Sequence, residues 1–402
     1  MSQSTPPDSR SFPLRRQCPF APPPDYDQWR AEEPVAKVEL PTGDAAWLVT
    51  RYEDVRTVLS NPAFSADGTS PGFPTFAPGQ AQILQRPPFI RMDPPEHSFY
   101  RRMLIQEFTL KRIKTMRAGI QATVNRLLDD LLTQAPPVDL VEAFALPVPS
   151  LVICQLLGVP YDDHEYFQSR SKVAMSGATT AETFATALGE LRAYMDGLIT
   201  RKQHEPGDDL LSKLVTEHLE PAGELRREGL LMMCLMLLNA GHETTSNMIS
   251  LGTVALLEHP DQLAALRSDP ELLPDTVEEL LRYLSIADLV TTRIAAEDTE
   301  LSGTRIRAGE GVVALLAAAD WDPGVFPEPE RFDIRRGNRH HVAFGYGVHQ
   351  CLGQNLARLE LEIVFSTLFE RIPTLRVAVP VEELPYKHGG LLFGLHELPV
   401  TW

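Results

Sequence analysis

Near the C-terminus a lone cysteine lies in a glycine-rich turn that leads directly into a helical pattern. Residues 344–358 read FGYGVHQCLGQNLAR, and Gly345 and Gly347 permit the positive φ angles of a tight turn. Apolar residues at a helical period follow, so Cys351 is predicted at or just before the first helical turn. Free backbone N–H groups and the helix dipole there favour a thiolate, which is a metal ligand or a nucleophile. A lone cysteine is more often a small core residue, but the glycines and His349 favour the functional interpretation here.

The cysteine turn resembles the haem-binding loop of the cytochrome P450 family, because every position of F-G-x-G-x-H-x-C-x-G-x-x-L-A-R is filled. The resemblance implies that Cys351 is the axial ligand of the iron in haem b, iron protoporphyrin IX. Phe344, Gly345 and Gly353 belong to the same haem-binding loop, and Gly353 lets the helix backbone approach a flat ligand. The implied fold is the cytochrome P450 fold, mainly α with a minor β-sheet, in a single haem domain over residues 19–402.

The composition excludes several classes of protein. A net charge of −17 argues against nucleic acid or an anionic membrane as a partner of the surface as a whole. The four cysteines are far apart and lack a C-x-x-C pair, which indicates a reducing, cytoplasmic setting. Residues 1–18 are rich in proline without an apolar core, and they predict a flexible leader, not a signal peptide or anchor. We expect a soluble monomer with no membrane contact.

The apolar pattern along the chain predicts a helix-rich domain with a small sheet. Residues 38–40 and 47–50 flank the turn PTGD and predict a hairpin. Helical periodicity then dominates up to about Leu284, and strand-like stretches follow at 292–306 and 312–316.

The segment 225–257 predicts a helix buried on all sides whose middle is interrupted by the polar stretch AGHETTS. Gly241 lacks a side chain and the Thr244 hydroxyl can bond its own helix backbone, which together open a notch for a diatomic ligand. Glu243 beside Thr244 supplies an acid next to a hydroxyl, the minimum for delivering protons into an apolar pocket. The alternative is that Thr244 only bonds its i−4 carbonyl and Glu243 pairs with an arginine.

The stretch AGHET is similar to the A-G-x-[DE]-T oxygen-activation motif of the same family. This resemblance implies that Ala240 and Gly241 lie against the haem. It further implies that Thr244 and Glu243 are catalytic, the first as a hydrogen-bond donor to bound oxygen and the second as a proton relay.

In the stretch MDPPEHSFYRR, His97 and Arg101 are one helical turn apart and both can donate hydrogen bonds to carboxylates. On the spacing alone, an ordinary surface helix with scattered charge is the more common explanation. The family resemblance implies instead that they bind the haem propionates, together with Arg293 and His349.

Glu279 and Arg282 also lie one helical turn apart, a spacing that usually indicates a solvated surface pair of little energetic weight. The E-x-x-R pattern followed by FPEPERFD resembles the structural triad of the family. It implies that Glu279, Arg282 and Arg331 form a buried network that holds the cysteine loop.

The resemblance implies a haem-thiolate monooxygenase that uses O2 and receives electrons from a ferredoxin and its NAD(P)H-dependent reductase. Two basic clusters in this acidic chain suggest a docking surface for an acidic ferredoxin. They consist of Arg101, Arg102, Lys111, Arg112, Lys114 and Arg117, and of Arg335, Arg336, Arg339 and His340. The alternative is that these residues only solvate surface helices.

The substrate pocket is expected to be largely apolar, which suggests a hydrophobic small molecule such as a polyketide, terpenoid or steroid, hydroxylated or epoxidised. The predicted pocket residues are Phe73, Phe76, Phe89, Leu237, Asn239, Ala240, Ile286, Asp288, Leu289, Leu392 and Phe393. Asn239 or Asp288 would bind a polar substrate group. The alternative for each phenylalanine is ordinary core packing.

Two other functions remain open at this stage. One is the branch of the family that reduces nitric oxide with NADH directly, although that branch lacks an acidic residue at the position of Glu243. The other is a haem-based gas carrier or sensor, which has no need of the Glu243–Thr244 pair or of an electron donor. The usual A-N-R-D-P motif also appears here as ADWDP at residues 319–323, so the contacts of that turn stay open.

Overall fold

The computed structural model describes residues 10–77, 80, 84–85, 87–160, 163, 166, 169–170, 181–220, 223–388 and 391–402. The chain forms two compact units. The first unit comprises Met1–Ser98, Val254–Leu352 and Tyr386–Gly394, and the second comprises Phe99–Thr253, Gly353–Pro385 and Leu395–Trp402.

Helices account for most of the described residues. In chain order the α-helices are α1 Asp25–Glu32, α2 Tyr52–Ser60, α3 Glu96–Ile105, α4 Leu110–Thr115, α5 Arg117–Leu132, α6 Pro147–Leu157, α7 Ala181–His204, α8 Leu210–Glu217, α9 Arg227–Glu258, α10 Pro260–Ser268, α11 Leu273–Leu284, α12 Leu316–Asp320 and α13 Gln354–Arg371. The strands are β1 Arg10–Ser11, β2 Val35–Glu39, β3 Ala45–Val49, β4 Phe64–Ser65, β5 Val138–Asp139, β6 Thr292–Ala295, β7 Thr299–Leu301, β8 Thr304–Ile306, β9 Gly311–Ala314, β10 Arg376–Val377 and β11 Pro399–Thr401. The predicted class, mainly α with a minor β-sheet, is confirmed.

The first unit is built around a six-stranded sheet in the order β1-β2-β3-β9-β6-β4. The predicted hairpin is β2 and β3, which pair antiparallel with Val38 opposite Ala46. The strands predicted after residue 292 are β6 to β9, of which β9 lies parallel to β3 and antiparallel to β6. Buried residues of both strands of the hairpin and of β9 pack into the core clusters on this sheet.

The predicted flexible leader is wrong for residues 10–18, while residues 1–9 lie outside the described part of the chain. Strand β1 pairs with β2, and the Phe12 side chain is buried in the core. The Arg16 guanidinium is also buried and donates hydrogen bonds to the carbonyls of Leu284 and Ser285, both at 2.9 Å. These contacts with segments distant in sequence order residues whose proline content alone suggests a loose tail.

The second unit contains the long helix α9 as far as Thr253, together with α13 and the small sheet β10-β11-β5. The predicted buried helix at 225–257 is confirmed, and Pro260 occupies the first turn of the next helix, α10, as expected. Among the helices that the structure describes, none combines the length and the apolar character that crossing a membrane requires.

The turn before Cys351 approaches the end of α2 so closely that it needs a glycine. Gly347 has φ +74°, and a Cβ atom there would lie 2.6 Å from the Leu59 carbonyl oxygen and 3.0 Å from Ser60 Cα. Because both obstacles are backbone atoms, no side-chain rotation relieves the overlap. The position therefore fixes the cysteine turn against the end of α2 through van der Waals contact.

We expect Gly347→Ala to lower the free energy of unfolding by about 2–4 kcal/mol. The added Cβ atom would overlap backbone atoms, and alanine is also disfavoured at a positive φ angle. Gly303 is a matched control, since it has φ +78° with no atom within 4 Å of an added Cβ. Gly303→Ala should cost only about 1 kcal/mol. Denaturant unfolding of the haem-loaded protein measures both, and equal losses for the two variants would contradict the close approach.

Candidate active site

Cys351 differs from the other cysteines in its surroundings. Its side chain is partly exposed, and its backbone N–H donates to the Phe344 carbonyl at 2.8 Å, which closes the turn. By contrast, burial raises the pKa of Cys154 and of Cys234 to about 12, so both remain neutral thiols near pH 7. Cys18 is exposed but lies outside any such turn. Cys351 is therefore the cysteine best placed to serve as a metal ligand.

The glycines of the cysteine turn adopt the predicted conformations. Gly345 and Gly347 have φ values of +68° and +74°, which confirms that this turn depends on left-handed residues. Helix α13 begins at Gln354, so Cys351 precedes the first helical turn, and Gly353 is the N-cap residue with φ −80°.

The first unit gathers hydrogen-bond donors that suit an anionic ligand. The His97 ring is only 1% exposed and lies 4.1 Å from the His349 ring, measured between centroids. Burial lowers the pKa of Arg293 to about 10, and the charge of Asp93 opposes this shift. The Asp93 carbonyl accepts the backbone N–H of His97 at 2.9 Å, so this arginine and the histidines belong to one neighbourhood. Arg101 lies one turn beyond His97 on α3.

Arg91 is a further member of this donor set, and no sequence pattern had indicated it. Its guanidinium donates to Thr292 Oγ1 at 2.8 Å and to the Val290 carbonyl at 3.0 Å. Burial and then the charge of Arg293 lower its pKa to about 10. A half-buried arginine, Arg91, so close to the buried Arg293 is costly without a negative partner, and the carboxylates of a porphyrin are such partners. The donor set therefore fits a haem. The available signal was the position of Arg91 six residues before His97, immediately ahead of the stretch MDPPEHSFYRR.

Helix α9 exposes a polar stretch in an otherwise largely buried helix. Asn239 and Ala240 are exposed, while Gly241, Glu243 and Thr244 are half-buried. A Cβ atom at Gly241 would meet Ile153 Cδ1 at 3.5 Å, an ordinary contact, so packing within the unit does not require a glycine here. The Thr244 hydroxyl donates to the Ala240 carbonyl at 2.8 Å, the local hydrogen bond that the sequence analysis considered.

The pair Glu279 and Arg282 forms a buried ion pair with two parallel hydrogen bonds of 2.8 Å. The Arg282 guanidinium is 0% exposed and also donates to the carbonyls of Asp320 and Pro329, both at 3.0 Å. The prediction that Arg331 joins them is wrong, because its side chain is 61% exposed and faces Glu328 at 3.6 Å.

Arg336 takes the place that was predicted for Arg331. Its side chain is 13% exposed and its Nε donates to Glu279 Oε1 at 3.2 Å. Its terminal nitrogens donate to the carbonyls of Pro327 at 2.7 Å and of Glu328 and Arg331 at 3.0 Å. The arginine that reaches the carboxylate is thus five residues further along the chain, where the segment turns back toward α11.

The unusual turn ADWDP is held by hydrogen bonds to residues outside the turn. Asp320 is buried and accepts the backbone N–H of Val342 at 2.7 Å and the Ser285 hydroxyl at 3.0 Å. Trp321 Nε1 donates to the Tyr283 carbonyl at 3.0 Å. The turn thereby anchors the residues that lead into the cysteine loop.

The predicted pocket residues lie in different environments. Phe73 packs with Leu84 and Ile294 in a small core cluster, and Phe76 lies against Phe12, so these two match the core-packing alternative. Phe89 is buried 5.9 Å from the His97 ring.

The remaining pocket residues belong to α9 and to a cleft of the first unit. Leu237 is buried on α9, and Leu392 is half-buried. Ile286, Asp288, Leu289 and Phe393 line the cleft. The Asp288 carboxylate accepts the backbone N–H of Ala317 at 2.7 Å, so its expected role as a substrate anchor competes with a structural one.

Comparison with known proteins agrees with this geometry. The family model described as Cytochrome P450 matches residues 177–399, more than half of the chain. The chain belongs to the cytochrome P450 family. The P450 is 51% identical over 397 residues to cytochrome P450 105A3 of Streptomyces carbophilus, covering 98% of this chain and 96% of that protein. It is 50% identical to the vitamin D3 dihydroxylase of Streptomyces griseolus, with 98% and 97% covered.

A solved structure extends the agreement to the fold. The P450 superposes on the crystal structure of CYP105N1 from Streptomyces coelicolor A3(2) with a TM-score of 0.94 and 51% identity. The alignment covers 98% of this chain and 99% of that one. As a member of this family, the P450 is an oxidoreductase that incorporates oxygen from O2 with a haem-thiolate cofactor.

We expect Arg336→Ala to lower the free energy of unfolding by about 2–4 kcal/mol, because it removes four hydrogen bonds to three carbonyls and a buried carboxylate. Arg331→Ala is the matched control and should change it by less than about 0.5 kcal/mol, as exposed ion pairs contribute little. Denaturant titrations of the two variants measure both values. A larger loss for Arg331→Ala would contradict the assignment.

Proposed function

We propose that this P450 hydroxylates or epoxidises a hydrophobic small molecule, using haem b bound through Cys351 and electrons from an acidic ferredoxin with its NAD(P)H-dependent reductase. The observation that carries the proposal is the glycine turn that holds Cys351 partly exposed before helix α13, while burial keeps Cys154 and Cys234 neutral. The haem, when bound, supplies the activation of O2.

The donors of the first unit would hold the haem propionates. His97, Arg293 and His349 were assigned this role from the sequence, and Arg91 adds a second, half-buried guanidinium. Arg101, which was assigned the same role from the sequence, belongs to the second unit. Arginine forks and histidine N–H groups are well suited to carboxylates, because charge-assisted hydrogen bonds are stronger than neutral ones.

The exposed stretch of α9 would control proton delivery. The Thr244 hydroxyl donates a hydrogen bond to the Ala240 carbonyl, and its oxygen can still accept one from a proton donor in the pocket. Glu243 is half-buried beside it, where a carboxyl can exchange protons with solvent. Ala240 and Gly241 would leave the space in which oxygen is held.

The substrate is proposed to be largely apolar, with one polar group near Asn239. Asn239 is exposed on α9, and the amide can both donate and accept hydrogen bonds. The relative that is 50% identical is named for its action on vitamin D3, which supports a hydrophobic substrate of that general kind here. Apolar pocket walls with few polar groups are typical of such sites.

We expect Thr244→Ala to keep the haem-thiolate absorption spectrum and yet form less product per reductant consumed, because proton delivery becomes disordered. The experiment reconstitutes turnover with a ferredoxin, its reductase, NADPH and O2. Cys351→Ala is the matched control and should lose the thiolate spectrum altogether. N2O formation from NO with NADH alone, or O2 binding without turnover, would contradict the proposal and support the other two functions.

The ferredoxin would dock on helix α4 and its surroundings. Lys111 and Lys114 are exposed and three residues apart, which places them on one face of this helix. Arg112 is a poorer candidate because Glu107 accepts from its Nε at 2.9 Å. Arg336 of the second basic cluster is withdrawn from this role, since it belongs to the buried network of Glu279.

We expect the double variant Lys111→Glu and Lys114→Glu to slow reduction by the ferredoxin about tenfold at low ionic strength and to flatten its salt dependence. The double variant Arg305→Glu and Arg307→Glu makes the same change in net charge on the β8 hairpin and should leave the rate unchanged. Stopped-flow reduction measures both. Equal rates for the α4 variant and the wild type would rule out docking there.

A further inference from the structure

The last residue of helix α12 places a carboxylate in the interior of the first unit. Asp320 is 0% exposed, and it is the second residue of the turn ADWDP, where the usual motif has the amide of an asparagine. The two side chains have nearly the same shape, so packing alone does not distinguish them. The carboxylate adds a negative charge and a second acceptor oxygen.

Both oxygens of this carboxylate accept hydrogen bonds from segments that are remote in sequence. Asp320 Oδ1 accepts the backbone N–H of Val342 at 2.7 Å, and Oδ2 accepts the Ser285 hydroxyl at 3.0 Å. Ser285 ends α11 with φ +34°, a left-handed conformation that is uncommon outside glycine. Asp320 therefore joins the left-handed end of α11 to the residues that lead into the cysteine turn.

A short series of main-chain hydrogen bonds continues from Val342 to Cys351. The Val342 carbonyl accepts the N–H of Gly345 at 2.7 Å. That N–H belongs to the same peptide group as the Phe344 carbonyl, which accepts the N–H of Cys351 at 2.8 Å. The Asp320 carboxylate is thus linked to the backbone of the proposed iron ligand, and every residue of this series belongs to the first unit.

The charge of Asp320 has no cation of its own within the part of the chain that the structure describes. Arg282 forms its ion pair with Glu279, and His341 Nε2 lies 2.8 Å from Glu278 Oε2. The Arg282 guanidinium reaches Asp320 only through the main-chain carbonyl, at 3.0 Å. Two neighbouring cations therefore serve two other carboxylates, and Asp320 is held by neutral donors.

Two further groups approach α12 from other helices. Tyr52 of α2 lies within electrostatic range of Asp320. Arg30 of α1 donates to the Ala318 carbonyl at 2.8 Å and pairs with Asp27 on its own helix. Neither group supplies a hydrogen bond to the Asp320 carboxylate, whose acceptor bonds come from Val342 and Ser285.

The balance of these contacts leaves the carboxylate close to its titration midpoint. Burial raises the pKa of Asp320 to about 6, while the charges of His341 and Arg282 and the hydrogen bonds from Val342 and Ser285 oppose this shift. Asp320 is therefore mostly ionised at pH 7. A modest increase in negative charge nearby is enough to protonate it, because charges in a protein interior are weakly screened.

An electron that enters the haem adds such a negative charge on the side of the cysteine turn. The added electron raises the proton affinity of the Asp320 carboxylate. By linkage, the carboxylate charge lowers the electron affinity of the iron by the same factor. A neutral Asp320 can donate to the Ser285 hydroxyl oxygen and still accept from Val342, so its contacts survive protonation.

We propose that Asp320 is a positioning residue of the cysteine turn whose carboxylate takes up one proton when the iron is reduced. The electron comes from the ferredoxin and the proton from water. The carboxylate becomes the neutral acid, so the net charge of the site does not change. This inference rests on the proposed binding of haem through Cys351.

The test is a spectroscopic redox titration of the haem-loaded wild type and of Asp320→Asn at a series of pH values. Asparagine retains an acceptor for Val342, so the variant should keep the haem-thiolate spectrum. Above about pH 8 the wild type should bind the electron about tenfold more weakly than the variant, a potential about 59 mV lower. Below about pH 5 both side chains are neutral, and the two potentials should coincide.

Two control variants separate charge from packing. Ser285→Ala removes one hydrogen bond to the carboxylate and keeps its charge, so the pH-dependent transition should persist and move to higher pH. Asp298→Asn makes the same chemical change at a carboxylate of the first unit whose side chain is 51% exposed. Because solvent screens that charge, its potential should follow the wild type at every pH.

The number of protons taken up on reduction is a second measurement. Near neutral pH, an indicator dye in weak buffer should record less proton uptake per electron for Asp320→Asn than for the wild type. Equal potentials and equal uptake in the two proteins, or an unshifted transition in Ser285→Ala, would overturn the proposal. A wild type without the haem-thiolate spectrum would instead contradict haem binding through Cys351, so the two failures are distinguishable.

Discussion

The buried charge of Arg282 is the constraint on which the segment leading to Cys351 depends. A guanidinium without solvent contact is stable only when its charge and its donors are satisfied, and here Glu279 and the carbonyls of Asp320 and Pro329 do so. Glu279 in turn accepts from the backbone N–H of Asp333 and from Arg336. These bonds join helix α11 to the chain between residues 320 and 336, and the glycine turn of the cysteine follows directly.

The reactive character of Cys351 comes from its surroundings. Cys154 and Cys234 carry the same thiol, but their apolar burial raises the pKa of each to about 12 and makes them packing residues. Cys351 lies in a turn of left-handed glycines and is partly exposed. The same reasoning separates Thr244 from other helical threonines, because it lies beside an acid in the exposed stretch of a helix that is otherwise largely buried.

Positive charge is scarce in this protein and is concentrated where anions are expected. The net charge is −17, yet the half-buried Arg91 lies close enough to the buried Arg293 for the charge of Arg293 to lower its pKa. The two cations come from segments that are far apart in sequence. A summed charge therefore says little about local binding, and the position of each cation determines which anion the protein can hold.

The sequence by itself determined the features that depend on local geometry. The cysteine turn, the buried helix with its polar stretch and the hairpin of β2 and β3 follow from glycine conformations and from the period of apolar residues. Only the tertiary structure decided which arginine reaches Glu279 and whether residues 10–18 are ordered. It also decided that Arg91 joins His97, Arg293 and His349 as a hydrogen-bond donor. Those outcomes depend on the distances between segments that are remote along the chain, and a local pattern carries no information about such distances.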